Sequence, residues 1–260
     1  MGKFIAAMDN SGGSAGGVLD TYQQAWTEEN KMELIHEFRL RMINASGFNS
    51  DNIFGCILYK DSVERGIVPG LNELGIKSIL KVDSGVHFDG TLKQFPVKQM
   101  CHFANQHGCW GTKMRSIVQD EVMLDTIVKQ QFAIAKTIYD EGLMPIVEPE
   151  VPIDHPNKYI LELKLKESIE KHLTEYQGEC ILKLTLPSKA GLYDDLQDRV
   201  YWVVALSGGY TLNRCVNELT NNNMGASFSR ALSEGLVHSM SYDEFNTHLN
   251  RNIEMIASVN

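Results

Sequence analysis

Apolar residues along this chain fall into short runs, most of them closed by a charged or turn-forming residue, with amphipathic stretches between. The first run, 4–8 (FIAAM), stops at Asp9. Others follow at 52–59 (NIFGCILY), 78–83 (SILKVD), 113–118 (KMRSIV), 144–151 (MPIVEPEV), 180–187 (CILKLTLP), 203–206 and 225–227. Their length, β-branched content and glycine, proline or aspartate borders predict strands. Helical spacing marks 27–43 through Leu34, Phe38 and Met42, and 119–139 through Leu124, Ile127, Ile134 and Ile138. Helices are also predicted over 159–176, in a short piece from Ser62, and after the eighth run through Arg230 and Leu232. Ser241-Tyr242-Asp243-Glu244 is a capping box that opens a last helix carrying Phe245, Leu249, Ile253 and Ile256. Residues 10–17 (NSGGSAGG) read as a small-residue loop, and 85–111 as a long loop with one helix.

Eight strand-like runs separated by helices or helix-length segments, in 260 residues, predict an α/β fold. One domain over 1–260 is expected, a single (β/α)8 TIM barrel. The competing arrangement, an open doubly wound sheet, lacks its GxGxxG fingerprint after the first strand.

Composition adds few constraints. The apolar fraction of 43% and charged fraction of 22% are those of an ordinary soluble globule. A net charge of −9 argues against nucleic acid or an anionic membrane as partner, but not against local basic sites for a small anion. Five cysteines without a CxxC pattern fit reduced thiols in the cytoplasm, and no apolar run has the length of a membrane span or signal peptide. The eight histidines are scattered without HExxH or Cys/His ligand spacing, so no metal and no other cofactor is expected.

Charges inside the strands change the picture. Lys183 sits mid-run in CILKLTLP, where an ammonium must find an anion or lose its proton. A neutral amine is the nucleophile that condenses with a ketone to an imine. Residues two apart on a strand share a face, so Lys81/Asp83, Lys113/Arg115 and Glu148/Glu150 each project together. With Asp9 and Lys183 they make four acids and four bases, where barrel interiors ordinarily hold branched apolar side chains. Neighbouring cations lower a lysine pKa, which Lys113 and Arg115 are expected to do for Lys183. A buried carboxylate such as Glu148, its pKa raised, is expected to move protons. Spacing alone leaves Lys81, Lys113 and Lys183 open as the nucleophile. Ser207-Gly208-Gly209 after strand seven, and Ser227 to Arg230 at the end of strand eight, stand where barrels hold a phosphate.

These residues resemble class I fructose-bisphosphate aldolase, the Schiff-base type, and within it the shorter bacterial branch. The similarity runs through AAMDNSGGS (6–14), SILKVDSG (78–85), GTKMR (111–115), MPIVEPEV (144–151), ILKLTLP (181–187), ALSGG (205–209) and SFSRAL (227–232). The resemblance implies reversible cleavage of fructose 1,6-bisphosphate to dihydroxyacetone phosphate and glyceraldehyde 3-phosphate. It assigns the imine to Lys183, proton transfer to Glu148 with Lys113 and Glu150 beside it, and the C4 hydroxyl proton to Asp9. It assigns the C1 phosphate to Ser207, Gly208 and Arg230, with Ser227 alongside, and the other phosphate or sugar hydroxyls to Ser11, Ser14, Lys81 and Arg115. Asn10 stands where many members have glutamate, Ser229 where others have glycine, and the segment after Ser14 lacks a basic residue that larger members carry. The expected partner is therefore a phosphorylated sugar, with neither nucleic acid nor membrane involved, and a homo-oligomer is compatible with the sequence. Another phosphorylated ketose, or a barrel that binds sugar phosphates without catalysis, are the alternative readings.

Overall fold

The structure, a computed structural model, describes residues 2–259. Eight parallel strands close in chain order: β1 (Phe4–Met8), β2 (Ile53–Leu58), β3 (Lys77–Lys81), β4 (Gly111–Ile117), β5 (Met144–Glu150), β6 (Ile181–Thr185), β7 (Trp202–Leu206) and β8 (Gly225–Phe228). The seam between β1 and β8 is short, pairing Ile5 with Ser227 and Ala6 with Phe228. The expected (β/α)8 barrel is therefore present.

The helices are α1 (Gly12–Thr21), α2 (Lys31–Ile43), α3 (Lys60–Glu64), α4 (Ile67–Glu73), α5 (Val97–Gln106), α6 (Glu121–Asp140), α7 (Lys158–Glu175), α8 (Leu212–Leu219) and α9 (Tyr242–Ala257). Their apolar stripes and the outward strand residues form one large core around the barrel. Among the described residues, no helix is long and apolar enough to cross a membrane. All five cysteines are unpaired and buried.

Strand periodicity explains the barrel interior. Ile5, Ala7, Ile57, Ile79, Ile146, Ile181 and Val204 point inward and form a separate apolar cluster. Below it Phe54, Trp110, Met144 and Trp202 plug the amino-terminal mouth, with the rings of Phe54 and Trp110 5.4 Å apart and edge to face. Two residues further along the same strands stand Asp9 after Ala7, Lys81 after Ile79, Glu148 after Ile146 and Lys183 after Ile181. The same face thus changes from a dry floor to an ionic layer in one step of the pleat.

Two expectations fail. The small-residue stretch after Asn10 is not a loop but α1. Glycine weakens a helix by roughly 1 kcal/mol per residue, and tertiary contacts override that here. Ser14 Oγ accepts from Ser11 N at 3.1 Å at the helix start. A side chain at Gly16 would meet Trp26, whose indole donates to Asp20 at 2.8 Å and lies under Lys31 Nζ. The helix predicted through Arg230 and Leu232 is a series of turns instead. Its carbonyls are taken from outside: Asn252 Nδ2 donates to Leu232 O and Glu234 O, and the Glu234 side chain accepts from Leu212 N of α8.

Gly16→Ala is expected to destabilise the protein by about 1–3 kcal/mol, the range for overpacking against an anchored ring. Gly17→Ala, one position on and facing open space, is expected to stabilise it by about 0.5–1 kcal/mol. Urea unfolding of both variants checks the contrast.

Candidate active site

The carboxyl ends of the strands surround a cavity of about 690 Å³. Asp9, Ser14, Lys81, Lys113, Arg115, Glu148, Glu150, Lys183, Ser207, Gly208, Ser227 and Arg230 all line it. Of the residues singled out from the sequence, Ser11 and Asp83 stand apart; both line an adjoining cavity of about 420 Å³ that shares Lys81.

Strand order sets the ionic chain. Lys113 Nζ lies 2.9 Å from Asp9 Oδ2 and 2.7 Å from Glu148 Oε2, and Lys183 Nζ lies 3.2 Å from Glu148 Oε1. Glu148 therefore holds one ammonium on each oxygen, and all three side chains are at most 5% exposed. Nearer the rim Arg115 Nε pairs with Glu150 Oε2 at 2.5 Å, and Lys81 Nζ stands 3.9 Å from Asp83 Oδ1.

The electrostatics separate the two buried lysines. Burial disfavours the charge on Lys113, but Asp9, Glu148 and Asp83 outweigh it and raise its pKa above the ordinary lysine value. Lys183 has the opposite outcome. Burial, supported by repulsion from Lys113, prevails over attraction to Glu148 and lowers its pKa. Lys113 is the expected neighbour acting on Lys183; Arg115 is instead engaged by Glu150 and is not among the groups that shift Lys183.

Glu148 departs from expectation. Burial pushes its carboxyl up, but Lys113 and Lys183 pull it down further, so its pKa is lowered. Asp9 behaves alike: burial raises it, and Lys113, Lys183 and Lys81 bring it below the usual carboxylate range. Both acids are ionised at neutral pH in the free site. Lowered carboxyl pKa values stabilise the fold above the ordinary range, and that contribution is lost as pH falls through the folded values.

The opposite side of the cavity is cationic and flexible in backbone choice. Ser207 O accepts from Tyr210 N at 2.9 Å, closing a turn in which Gly208 and Gly209 take φ of 60° and 116°. A Cβ at Gly209 would stand 3.5 Å from both terminal nitrogens of Arg230, so the guanidinium lies directly over this glycine. Arg230 has no ion-pair partner among the described residues, and Ser227 Oγ is buried without a hydrogen bond. Turn amides, an unpartnered hydroxyl and a free guanidinium are together suited to a phosphate. Among the described residues, no three His, Cys, Asp or Glu side chains converge as metal ligands would.

Sequence reasoning missed two supporting groups, while Gly209, already read as part of the phosphate turn, lies under Arg230. Gln131 of α6 is fully buried and its Oε1 accepts from Glu148 N at 3.0 Å, which fixes the strand at the shared carboxylate. Arg39 of α2 donates to Asn10 O beside Asp9. Gln131 and Arg39 each interrupt an apolar helix stripe, and that irregularity is the signal that marks them.

Removing one partner of a buried ion pair costs about 3–5 kcal/mol, whereas exposed pairs contribute about 0–1 kcal/mol. Lys113→Met, which strands two carboxylates, is expected to fall in the first range. Arg115→Met, at a side chain 42% exposed, is expected to fall in the second. Denaturant unfolding at pH 7 measures both, and the loss in Lys113→Met is expected to shrink as pH falls and Asp9 and Glu148 take up protons.

No protein-family model matches the chain. It is 40% identical to a fructose-bisphosphate aldolase class 1 of Synechocystis sp., over 97% of this chain and 92% of that relative. It is 37% identical to the protein of the same name from Clostridium acetobutylicum, over 97% and 93%. Among solved structures, fructose-bisphosphate aldolase from Plasmodium falciparum, in a complex with TRAP and a small-molecule inhibitor, superposes with a TM-score of 0.82. That match has 18% identity and covers 99% of this chain and 90% of the other. An archaeal fructose 1,6-bisphosphate aldolase gives a TM-score of 0.65 at 12% identity, over 99% and 94%. The two structural likenesses carry the barrel fold, and the identity to the two bacterial relatives carries the family: this chain belongs to the class I fructose-bisphosphate aldolases.

Proposed function

We propose that this protein cleaves fructose 1,6-bisphosphate reversibly to dihydroxyacetone phosphate and glyceraldehyde 3-phosphate through an imine on Lys183. The observation that carries the assignment is the contrast between neighbours: Lys183 is the buried lysine whose pKa is lowered, while Lys113 is held charged between two carboxylates. Family membership supports the reaction.

Lys183 and Glu148 face each other at 3.2 Å with charges that can cancel by one proton transfer. Glu148 takes a proton from Lys183, and the free amine adds to the C2 carbonyl carbon of the open-chain ketose. The same carboxyl returns that proton to the carbinolamine oxygen, which leaves as water, and the nitrogen lone pair completes the protonated imine. Lys113 keeps Glu148 oriented and stabilises its anionic form.

Asp9, ionised and fixed by Lys113, accepts the proton of the C4 hydroxyl. The O–H electrons form the C4 carbonyl as the C3–C4 bond breaks, and the bonding pair moves into the imine to give the enamine. The aldehyde leaves first. Protonation at C3 and hydrolysis then release dihydroxyacetone phosphate and restore Lys183. Ser207, Gly208, Ser227 and Arg230 hold the C1 phosphate in this reading. Ser14, Lys81 and Arg115 face the remainder of the sugar, with Ser11 in the adjoining cavity beside Lys81, and Glu150 keeps Arg115 in place.

Borohydride reduction in the presence of dihydroxyacetone phosphate is expected to leave one adduct, on the peptide containing Lys183. An adduct on Lys81 or Lys113 would move the nucleophile, and none from folded protein that binds the ligand would overturn the imine. Glu148→Gln is expected to lower kcat by about 10²–10⁴-fold, the span of general acid–base catalysis. Activity is expected to survive a strong chelator. A higher kcat/KM for fructose 1-phosphate or tagatose 1,6-bisphosphate than for fructose 1,6-bisphosphate would reassign the substrate.

A further inference from the structure

Arg39 stands on the apolar stripe of α2 with Ile35, Phe38 and Met42, and it is 1% exposed. Burying a guanidinium costs several kcal/mol unless an anion compensates. No described carboxylate forms an ion pair with it. Its Nη1 donates to Ser62 Oγ at 2.7 Å, its Nη2 donates to Asn10 O at 2.5 Å, and its Nε meets no acceptor. Burial draws its pKa down to about 10, so it remains a cation at neutral pH. A methionine would fill the same space without that cost, so packing alone does not account for the residue.

The contact with Asn10 does. Asn10 follows Asp9 directly where β1 ends, and the chain there leaves the sheet to begin α1. Holding the Asn10 carbonyl fixes the backbone next to Asp9, and with it the direction in which the carboxylate leaves the strand. Asp9 is aimed so that Oδ2 meets Lys113 at 2.9 Å, and the residue lines the cavity. Asp9 is also the strongest of the negative groups acting on Arg39.

We propose that Arg39 is a positioning residue for Asp9, a buried cation that anchors the Asn10 carbonyl and presents the carboxylate to the C4 hydroxyl of the substrate. This rests on the reading of Asp9 as the acceptor of that proton. Arg39 itself touches no substrate atom. Its effect is on the cleavage step rather than on binding of the C1 phosphate, since Ser207, Gly208, Ser227 and Arg230 lie on other elements.

Arg39→Met and Arg39→Lys are compared with the wild-type chain. A misplacement near 1 Å costs about 10²-fold in rate, so Arg39→Met is expected to lose about 10- to 100-fold in kcat, with KM within about twofold. Its Tm is expected to stay within about 4 °C of wild type or to rise. Arg39→Lys is expected to recover most of the lost kcat. A crystal structure of Arg39→Met is expected to show the Asp9–Lys113 contact lengthened. Unchanged kcat in Arg39→Met overturns the proposal, as does a joint fall of kcat and Tm that lysine does not relieve. If Arg39→Met fails to fold, Ser62→Ala decides. A kcat loss of about threefold or more at unchanged KM supports the anchor, and unchanged kcat overturns it. Wild-type protein that cleaves no ketose bisphosphate counts against the reaction itself. The crystal structure then decides the anchor alone, an unmoved Asp9 overturning it.

Discussion

The Glu148 carboxylate is shared between two buried ammonium groups, and the arrangement of the site follows from that sharing. A carboxylate can neutralise one buried lysine fully or two partially. Here Lys113 contacts a second acid, Asp9, and Lys183 feels Asp9 only at a distance, so the shortage of negative charge falls on Lys183. The pKa difference between two chemically identical side chains therefore comes from an uneven supply of neighbours. Strand order creates the unevenness, because β4 is near enough to both β1 and β5 for Lys113 to reach the acids on each.

The dry floor is what makes these small imbalances matter. Electrostatic interactions weaken sharply in a solvent of high dielectric constant. The isoleucine layer and the aromatic plug close the barrel from below, so the ions are reached only from the carboxyl end. The inward face of β1, β3, β5 and β6 thus leads from an insulating residue to a charged one. Substituting the floor would alter the chemistry of side chains it does not touch.

Much of this was legible in the sequence, for one reason. Strand parity is fixed by the chain itself, so the shared face of Lys81 and Asp83, or of Glu148 and Glu150, follows from spacing without knowledge of the fold. What depends on distances between strands was not legible. The lowered pKa of Glu148 requires two ammonium groups at 2.7 and 3.2 Å from different strands, and no local pattern encodes that. Helix α1 was hidden because its glycines are poor helix formers, and the Trp26 contact that selects Gly16 lies outside the helix. The turns after β8 had helical composition, but side chains of α9 take the carbonyls a helix would need.

The short seam between β1 and β8 has a consequence for synthesis. Asp9 follows β1 and Ser227 lies in β8, so the two sides of the cavity cannot meet until all eight strands have been made. Until then Lys183 has no walls to desolvate it and keeps the basicity of any surface lysine. A nascent or partly unfolded chain therefore lacks the lowered pKa on which the proposed imine depends. On the proposed mechanism, competence to react and completion of the fold arrive together.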